Sequence, residues 1–450
     1  MTHRDVDIEV GSLSRVEGEG ALHVSVTDGK ISDLRLRIYE PPRFFEGFLR
    51  GRGYREPVDI TARICGICPV AYQMSAAAAL ERISGVTVDG AVRDLRRLLY
   101  AGEWIESHML HIGFLHAPDF LGAASGIELA GREPARIEQV LQLKKLGNDL
   151  MTVVGGRPIH PVNVQLGGFH RAPEREELAA FVDRLARAEE ATADVVRWTA
   201  GFDFPALEID HELVSLRHPT EYAVLDGRIV SDRGLDVDVD DYDREFVEVQ
   251  VPHSTALHGR RRTGEPYLTG PLARWTNNHD RLSAPVRALA DEVGVGPSER
   301  NPFRSILVRG LEVLEAVITA RALIEGYTRP PVPAVDVPPR AGAAWGASEA
   351  PRGVLFHRYE TDADGGIVDA RIVPPTAQNQ PAIEHDVRRV VEDHLRRHPD
   401  ASDPTDDDEP ANRAELQHRC EVAIRNHDPC ISCATHFLRV ELEHVGSDAT

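Results

Sequence analysis

The sequence predicts an α+β chain, predominantly helical, in which a bundle core of long helices carries small β-sheets at its periphery. Three features predict it. Long stretches rich in Glu, Arg, Ala and Leu, with apolar residues at helical spacing, fill the middle of the chain. Shorter alternating runs, bounded by Gly and Asp, stand near its beginning and again in its last third. Apolar residues make up 42% and charged residues 27% of 450, an ordinary globular composition with enough chain to bury a sizeable core.

The elements follow in order. Residues from about 5 to 40 read as strands: Val6–Val10, Ala21–Val26 and Ile31–Tyr39 alternate in part, and Asp28–Gly29 supplies a hairpin turn. From Pro69 the pattern turns helical, with Ala76–Ala79 in the first helix. Val92–His111, Arg136–Val154, Glu174–Trp198, Arg281–Val293 and Phe303–Tyr327 continue it. Residues near 205–270 are mixed and strand-like, and the acidic run Asp236–Asp243 is expected in a surface loop. Gly353–Tyr359 and Gly366–Val373 form a hairpin around Asp362–Gly366, and a helix over Pro381–Arg397 follows. His398–Asn412 holds Asp406-Asp407-Asp408-Glu409 and three prolines, the composition of a solvated acidic surface loop. A last helix, Arg413–Asn426, leads into a cysteine pair. With no internal repeat and no interdomain linker, residues 1–450 read as a single integrated domain.

Charge narrows the function. A net charge of −21 argues against nucleic acid as a partner, because phosphate binding needs clustered Lys and Arg. No run approaches the roughly 18 apolar residues of a membrane span, so no direct membrane insertion is expected. The N-terminus lacks an apolar signal segment, which predicts a cytoplasmic protein.

Five cysteines are present, and four fall into two C-x-x-C pairs: Cys65 with Cys68, and Cys430 with Cys433. Two-residue spacing lets both thiolates of a pair face one ion, and four thiolates suit zinc, iron–sulfur or nickel. An odd, sparse count does not make a disulfide framework. Zinc ribbons usually close a short loop, whereas about 360 residues separate these pairs. A thioredoxin-like role needs only one pair. Cys420 has no partner at useful spacing and reads as a small buried apolar residue.

The residues around these pairs resemble the [NiFe]-hydrogenase large-subunit family. Arg63-Ile64-Cys65-Gly66-Ile67-Cys68 matches its N-terminal signature, and Asp428-Pro429-Cys430-Ile431-Ser432-Cys433-Ala434-Thr435-His436 its C-terminal one. Between and before them stand Arg15-Val16-Glu17-Gly18, Arg43-Phe44-Phe45-Glu46 with Gly51-Arg52, Gly155-Gly156-Arg157 with His160-Pro161, Gly270-Pro271-Leu272-Ala273-Arg274 and Glu349-Ala350-Pro351-Arg352-Gly353. The resemblance spans residues from about 5 to 436 and implies that family's fold.

It also implies reversible heterolytic cleavage of H2. Cys65 and Cys430 would be terminal nickel ligands; Cys68 and Cys433 would bridge nickel to an iron carrying CO and two cyanides. Ala350, Pro351, Arg352, Pro374 and Thr376 would surround those diatomic ligands. Glu17 would accept the proton from Cys430 and pass it outward. Glu46 and His436 would hold a structural Mg2+ or Fe2+, with a backbone carbonyl near Arg371 as a third ligand. Asp119 and Asp428 would orient Arg352 or the ligands. Five cysteines leave none for iron–sulfur clusters. An iron–sulfur small subunit is therefore implied, with flavin- and NAD(P)-binding and further iron–sulfur subunits beyond it.

Some positions depart from the family pattern. Tyr72 stands where many relatives have His, Glu19 replaces a His after the first motif, and Pro374-Pro375 occupy a stretch where many place a hydroxyl. None of these is a metal ligand. Arg63–Gln73 looks most like the cytosolic NADP-linked, sulfhydrogenase-type branch. Fourteen residues follow His436, and Leu438, Val440 and Leu442 alternate there with charged residues. This tail is expected to stay attached and pack as a strand. Three other readings are distinguishable. A quinone-site relative would lack the quartet, a non-catalytic zinc-binding protein would hold zinc without nickel, and an H2 sensor of the same fold would turn over slowly.

Overall fold

The computed structural model describes residues 6–27, 29–398 and 409–436. Its first element is an antiparallel sheet of β1 (Val6–Val10), β2 (Gly20–Thr27) and β3 (Lys30–Ile38), within one or two residues of the expected bounds. Long helices follow: α1 (Pro69–Ser84), α2 (Gly90–Leu110), α3 (Pro134–Gly155), α4 (Val182–Ala200) and, later, α5 (Ser305–Glu325). Helices α2 to α5 pack together around Leu99, Ile105, Leu150, Val195 and Leu311, all fully buried. Pro stands at the first helical position of α1 and of α3, where its missing N–H costs nothing.

Helix α2 runs on into a π-helical segment, His111–His116. The wider turn faces both histidines inward. His111 Nε2 bonds the carbonyl of Arg425 at 2.9 Å and His116 Nε2 bonds Asn426 Oδ1 at 2.9 Å. The bundle thereby supports the chain just before the second cysteine pair.

Strands β4 (Phe246–Val249) and β5 (His258–Arg261) form a ribbon at the edge. A second three-stranded sheet holds β6 (Gly342–Ala350), β7 (Gly353–Thr361) and β8 (Ile367–Val373) in antiparallel order. Helices α6 (Pro375–Arg397) and α7 (Glu409–Arg425) then pack on the first sheet. Leu22, Val24 and Leu36 meet Ile383, Val387 and Val391, with Leu416, Cys420 and Ile424 behind. Cys420 is fully buried there, and burial pushes its thiol up to about 12, so it behaves as the expected apolar residue.

Several expectations need correction. The stretch Glu174–Trp198 is two helices, Arg175–Ala179 and α4, because a Glu174/Glu177 capping box starts a separate short turn. Arg281 closes a 3-10 turn, and the helix beyond it begins only at Ala284. The run Asp236–Asp243 is not a free loop. Asp236–Val237 is a strand, Val239 and Tyr242 are buried, and Asp238 and Asp240 both bind Arg82. Helix α6 begins at Pro375, with Pro381 inside it. Helix α7 begins at Glu409, inside the stretch expected as a solvated loop; residues 399–408 and the tail after His436 lie outside the described residues. Among the described residues no helix is long and apolar enough to cross a membrane.

Candidate metal centre

The first pair is shaped by a turn. Cys65 follows the 3-10 turn Ala62–Ile64, and Cys68 precedes α1. The Cys65 sulfur accepts the N–H groups of Ile67 and Cys68, both at 3.3 Å. Behind it the buried Glu103 carboxyl accepts the first free N–H groups of α1, from Val70 at 2.6 Å and Ala71 at 3.2 Å.

The second pair is shaped by contacts with residues far upstream. Asp428 adopts a left-handed φ of +50°, which Asp tolerates better than most residues, and turns the chain after α7. The Cys430 N–H donates to Thr376 Oγ1 at 2.9 Å. The Ile431 N–H donates to the Glu17 carbonyl at 2.9 Å, and the Ser432 N–H to Glu17 Oε2 at 3.1 Å. Ser432 Oγ donates to Glu40 at 3.0 Å. Gly18 sits between them with φ +87°; a Cβ there would lie 2.8 Å from Ile431 Cβ and 2.9 Å from Ser432 N. Arg43 fastens both pairs together, donating from one nitrogen to Ile64 O at 2.7 Å and Ser432 O at 3.0 Å.

The result is one cluster from both ends of the chain. All four cysteines are buried and free of disulfides, and their sulfurs lie within 4.8 Å of one another. Cys65 and Cys430 are 3.6 Å apart, Cys68 and Cys433 3.9 Å, and Cys430 and Cys433 2.7 Å. Thiolates sharing a tetrahedral ion at about 2.3 Å would be about 3.8 Å apart, so the first two separations suit a soft metal. Hydrogen bonds from Cys430, Cys433 and Cys68 pull Cys65 well below the usual thiol range, while burial pushes Cys430 up.

Arg352 supplies the compensating charge. It is buried, its Nε donates to Asp428 O at 2.7 Å, and one terminal nitrogen donates to Asp428 Oδ1 at 3.1 Å. Burial opposes the charge, but Asp428 and the sulfurs of Cys430, Cys68 and Cys65 hold it well above its ordinary value. Its other terminal nitrogen and Asp428 Oδ2 have no hydrogen-bond partner among the described residues. The orphaned Arg352 nitrogen, a buried donor beside four sulfurs, fits a bound group with acceptor atoms.

The β6–β7 turn carrying Arg352 hangs on a buried ion network. Arg274 donates to both oxygens of Glu312 at 2.8 Å, to Glu349 at 3.1 Å, and to the carbonyls of Ala350 and Pro351 at 2.9 Å. Arg274 and its contact to Glu312 hold that carboxylate at about 2 against the cost of burial; burial dominates at Glu349 and raises it to about 7. Folded Glu349 thus keeps a proton that the unfolded chain loses. Its contribution to stability is fully present below the unfolded value of 4.5 and is lost as pH rises towards about 7. Glu349→Gln is expected to remove a slope of at most about 1.4 kcal/mol per pH unit over that window, read from urea melts at stepped pH. An unchanged slope contradicts the assignment.

The other predicted residues divide. Glu46 and His436 meet: His436 Nε2 lies 2.8 Å from Glu46 Oε2, and the Ile372 N–H donates to Glu46 Oε1 at 2.8 Å. Pro374, Cys433 and the nearby Glu248 line the same small cavity. Thr376 reaches the cysteine turn through its hydroxyl. Glu17 Oε2 is 3.1 Å from the Cys430 sulfur. Asp428 does orient Arg352, but Asp119 does not. Asp119 binds Arg15, and Arg425 at 2.8 and 2.9 Å, because two guanidinium groups converge on it. Tyr72, in the place of the family histidine, is fully buried beside the sulfurs, its hydroxyl without a hydrogen-bond partner among the described residues. Arg43, Glu40 and Arg274 carry structural contacts that sequence reasoning missed, although Arg43 and Arg274 stand in two of the family motifs.

Comparison with known proteins agrees with this geometry. A profile of the nickel-dependent hydrogenase family matches residues 43–139. The chain is 30% identical over 445 residues to the sulfhydrogenase 1 alpha subunit of Pyrococcus furiosus, covering 98% of this chain and 100% of that protein. It is 27% identical to the HoxS beta subunit of the NAD-reducing hydrogenase of Cupriavidus necator, covering 95% and 94%. Its structure resembles that of an NAD+-reducing [NiFe]-hydrogenase in the H2-reduced state, with TM-score 0.83, 28% identity and coverage of 97% and 100%.

Proposed function

The chain belongs to the nickel-dependent hydrogenase large-subunit family, and we propose that it cleaves H2 reversibly into two protons and two electrons at a nickel–iron pair held by Cys65, Cys68, Cys430 and Cys433. One observation carries the reading: four sulfurs from opposite ends of the polypeptide converge, with a carboxylate against one of them.

When bound, the nickel–iron pair would supply the Lewis acidity that makes H2 acidic and the capacity to take its electrons. The chain's own residues do the rest. Cys430 offers the first proton acceptor at its sulfur. Glu17, at 3.1 Å, takes that proton on Oε2 and, being only partly buried, passes it outward. The Ser432 N–H fixes Glu17 in this position. Arg352 keeps a fixed positive charge beside the sulfurs, suited to an iron with two cyanides and one CO, which Ala350, Pro351, Pro374 and Thr376 would surround. The surrounding apolar residues exclude bulk water.

Glu46 and His436 suit a structural Mg2+ or Fe2+, which would secure the C-terminal turn. The electrons must leave the chain. Beyond the quartet only Cys420 remains, and it is buried among apolar side chains. An iron–sulfur small subunit therefore takes them up, with flavin- and NAD(P)-binding subunits further along, and NADP as the terminal couple. Likeness to sulfhydrogenase alpha subunits and to the beta subunit of an NAD-reducing hydrogenase supports the presence of accompanying subunits. A reducing cytoplasm suits four unpaired thiols.

Infrared spectroscopy of the purified complex, with nickel analysis, tests the proposal. Stretches of one CO and two cyanides, together with stoichiometric nickel, are expected. Zinc in place of nickel, with no such bands, would overturn it.

A further inference from the structure

We propose that His253, His258 and Glu384 form a second metal site, separate from the cysteine centre, for one divalent first-row cation, with Zn2+ the preferred occupant. Their ligand atoms all lie within 4.8 Å of one another. His253 stands in the turn before β5, His258 opens β5, and Glu384 projects from α6.

His258 makes the strongest case. It is 1% exposed, and neither ring nitrogen has a hydrogen-bond partner among the described residues. Burying an imidazole with both nitrogens unsatisfied is unfavourable, so such a group calls for a ligand. Burial, with help from His253 and Arg260, depresses its pKa to about 4 against the pull of Glu384. The ring is therefore neutral at physiological pH, with a lone pair free for a metal.

The other two donors are already oriented. His253 Nε2 is 2.9 Å from Glu384 Oε1, and the same oxygen accepts the Leu36 N–H from β3 at 3.0 Å. The two histidine rings meet edge to face, with centroids 5.5 Å apart. Gly259 lets β5 approach α6 closely; a Cβ there would sit 2.8 Å from Gln378 Cα. His253 and Glu384 keep 18% and 17% of their side-chain surface exposed, which gives a hydrated ion a way in. Two imidazoles and one carboxylate, without sulfur, suit zinc with water in the fourth position.

The neighbouring group around Asp386 is different. His211 and His427 each bond one Asp386 oxygen, at 2.8 and 3.0 Å, and so satisfy one another without an ion.

The proposed ion sits beneath the C-terminal turn. Thr255, between the two histidines, bonds Glu40 O at 3.0 Å and accepts the His436 N–H at 2.8 Å. An ion there would brace the loop on which the last metal-ligating segment rests.

The test uses the full chain, nickel-loaded and purified with its accompanying subunits, stripped of loosely held metal and titrated with Zn2+ alone. One equivalent per chain is expected, with only nitrogen and oxygen neighbours at about 2.0–2.1 Å in zinc-edge X-ray absorption. His258→Gln and Glu384→Gln should each lose that equivalent while nickel and iron contents stay unchanged. His253→Gln, at a partly exposed position, reads the same loss if His258→Gln does not fold. No zinc uptake, zinc with sulfur neighbours at about 2.3 Å, or undiminished uptake by the variants would overturn the site.

Discussion

Cys430→Ser is expected to strip nickel from the protein and lower H2 uptake by more than about 100-fold, since even outer partners of metal ligands typically cost 10–100-fold when removed. The Cys430 sulfur touches Cys65, Cys433 and Glu17, and so joins both cysteine pairs to the carboxylate. Serine replaces a soft, polarisable donor with a hard oxygen that keeps its proton and binds nickel poorly. The backbone anchor to Thr376 survives the change, so the turn should still form. Nickel by elemental analysis and uptake by dye reduction read the two effects together. A variant that keeps both nickel and activity would remove Cys430 from the ligand set.

Glu17→Gln separates proton movement from metal binding. The amide is isosteric, so the bonds from Ser432 and Ile431 to residue 17 can persist and hold the cysteine turn. What disappears is a group able to take the Cys430 proton. General acid–base groups typically contribute 10²–10⁴-fold, and hydrogen–deuterium exchange with solvent should fall by about that factor. Nickel and iron should remain at wild-type content. Exchange at the wild-type rate would mean that protons leave by another route.

Local chemistry decided how much of the molecule the sequence makes legible. The three N-terminal strands and the long helices of the bundle carry their own periodicity, and the structure has them close to the expected bounds. The cysteine quartet is legible because two C-x-x-C pairs, in a chain with one further cysteine, concentrate thiols as a soft metal requires. Strand β6 is not, since Gly342–Ala350 is mostly Gly, Ala and Ser, with weak strand preference; pairing with β7 creates it. The Arg274–Glu312–Glu349 network is equally hidden. Its members are scattered along the sequence, and burial alone distinguishes them from surface charges. The partner of Asp119 cannot be read either, because which guanidinium reaches a carboxylate depends on tertiary packing. His258 looks like any other histidine until its lack of hydrogen-bond partners among the described residues is visible.

The convergence of the two chain ends sets a timetable for biosynthesis. At about 5–20 residues per second, the ribosome makes Cys65 and Cys68 tens of seconds before Cys430 and Cys433. The second pair is thus the later half of the site to emerge from the ribosome. The cage can therefore close only once that later pair has emerged. Until then the early pair is an open, half-built chelate, waiting for the turn that fastens against Glu17, Glu40 and Arg43.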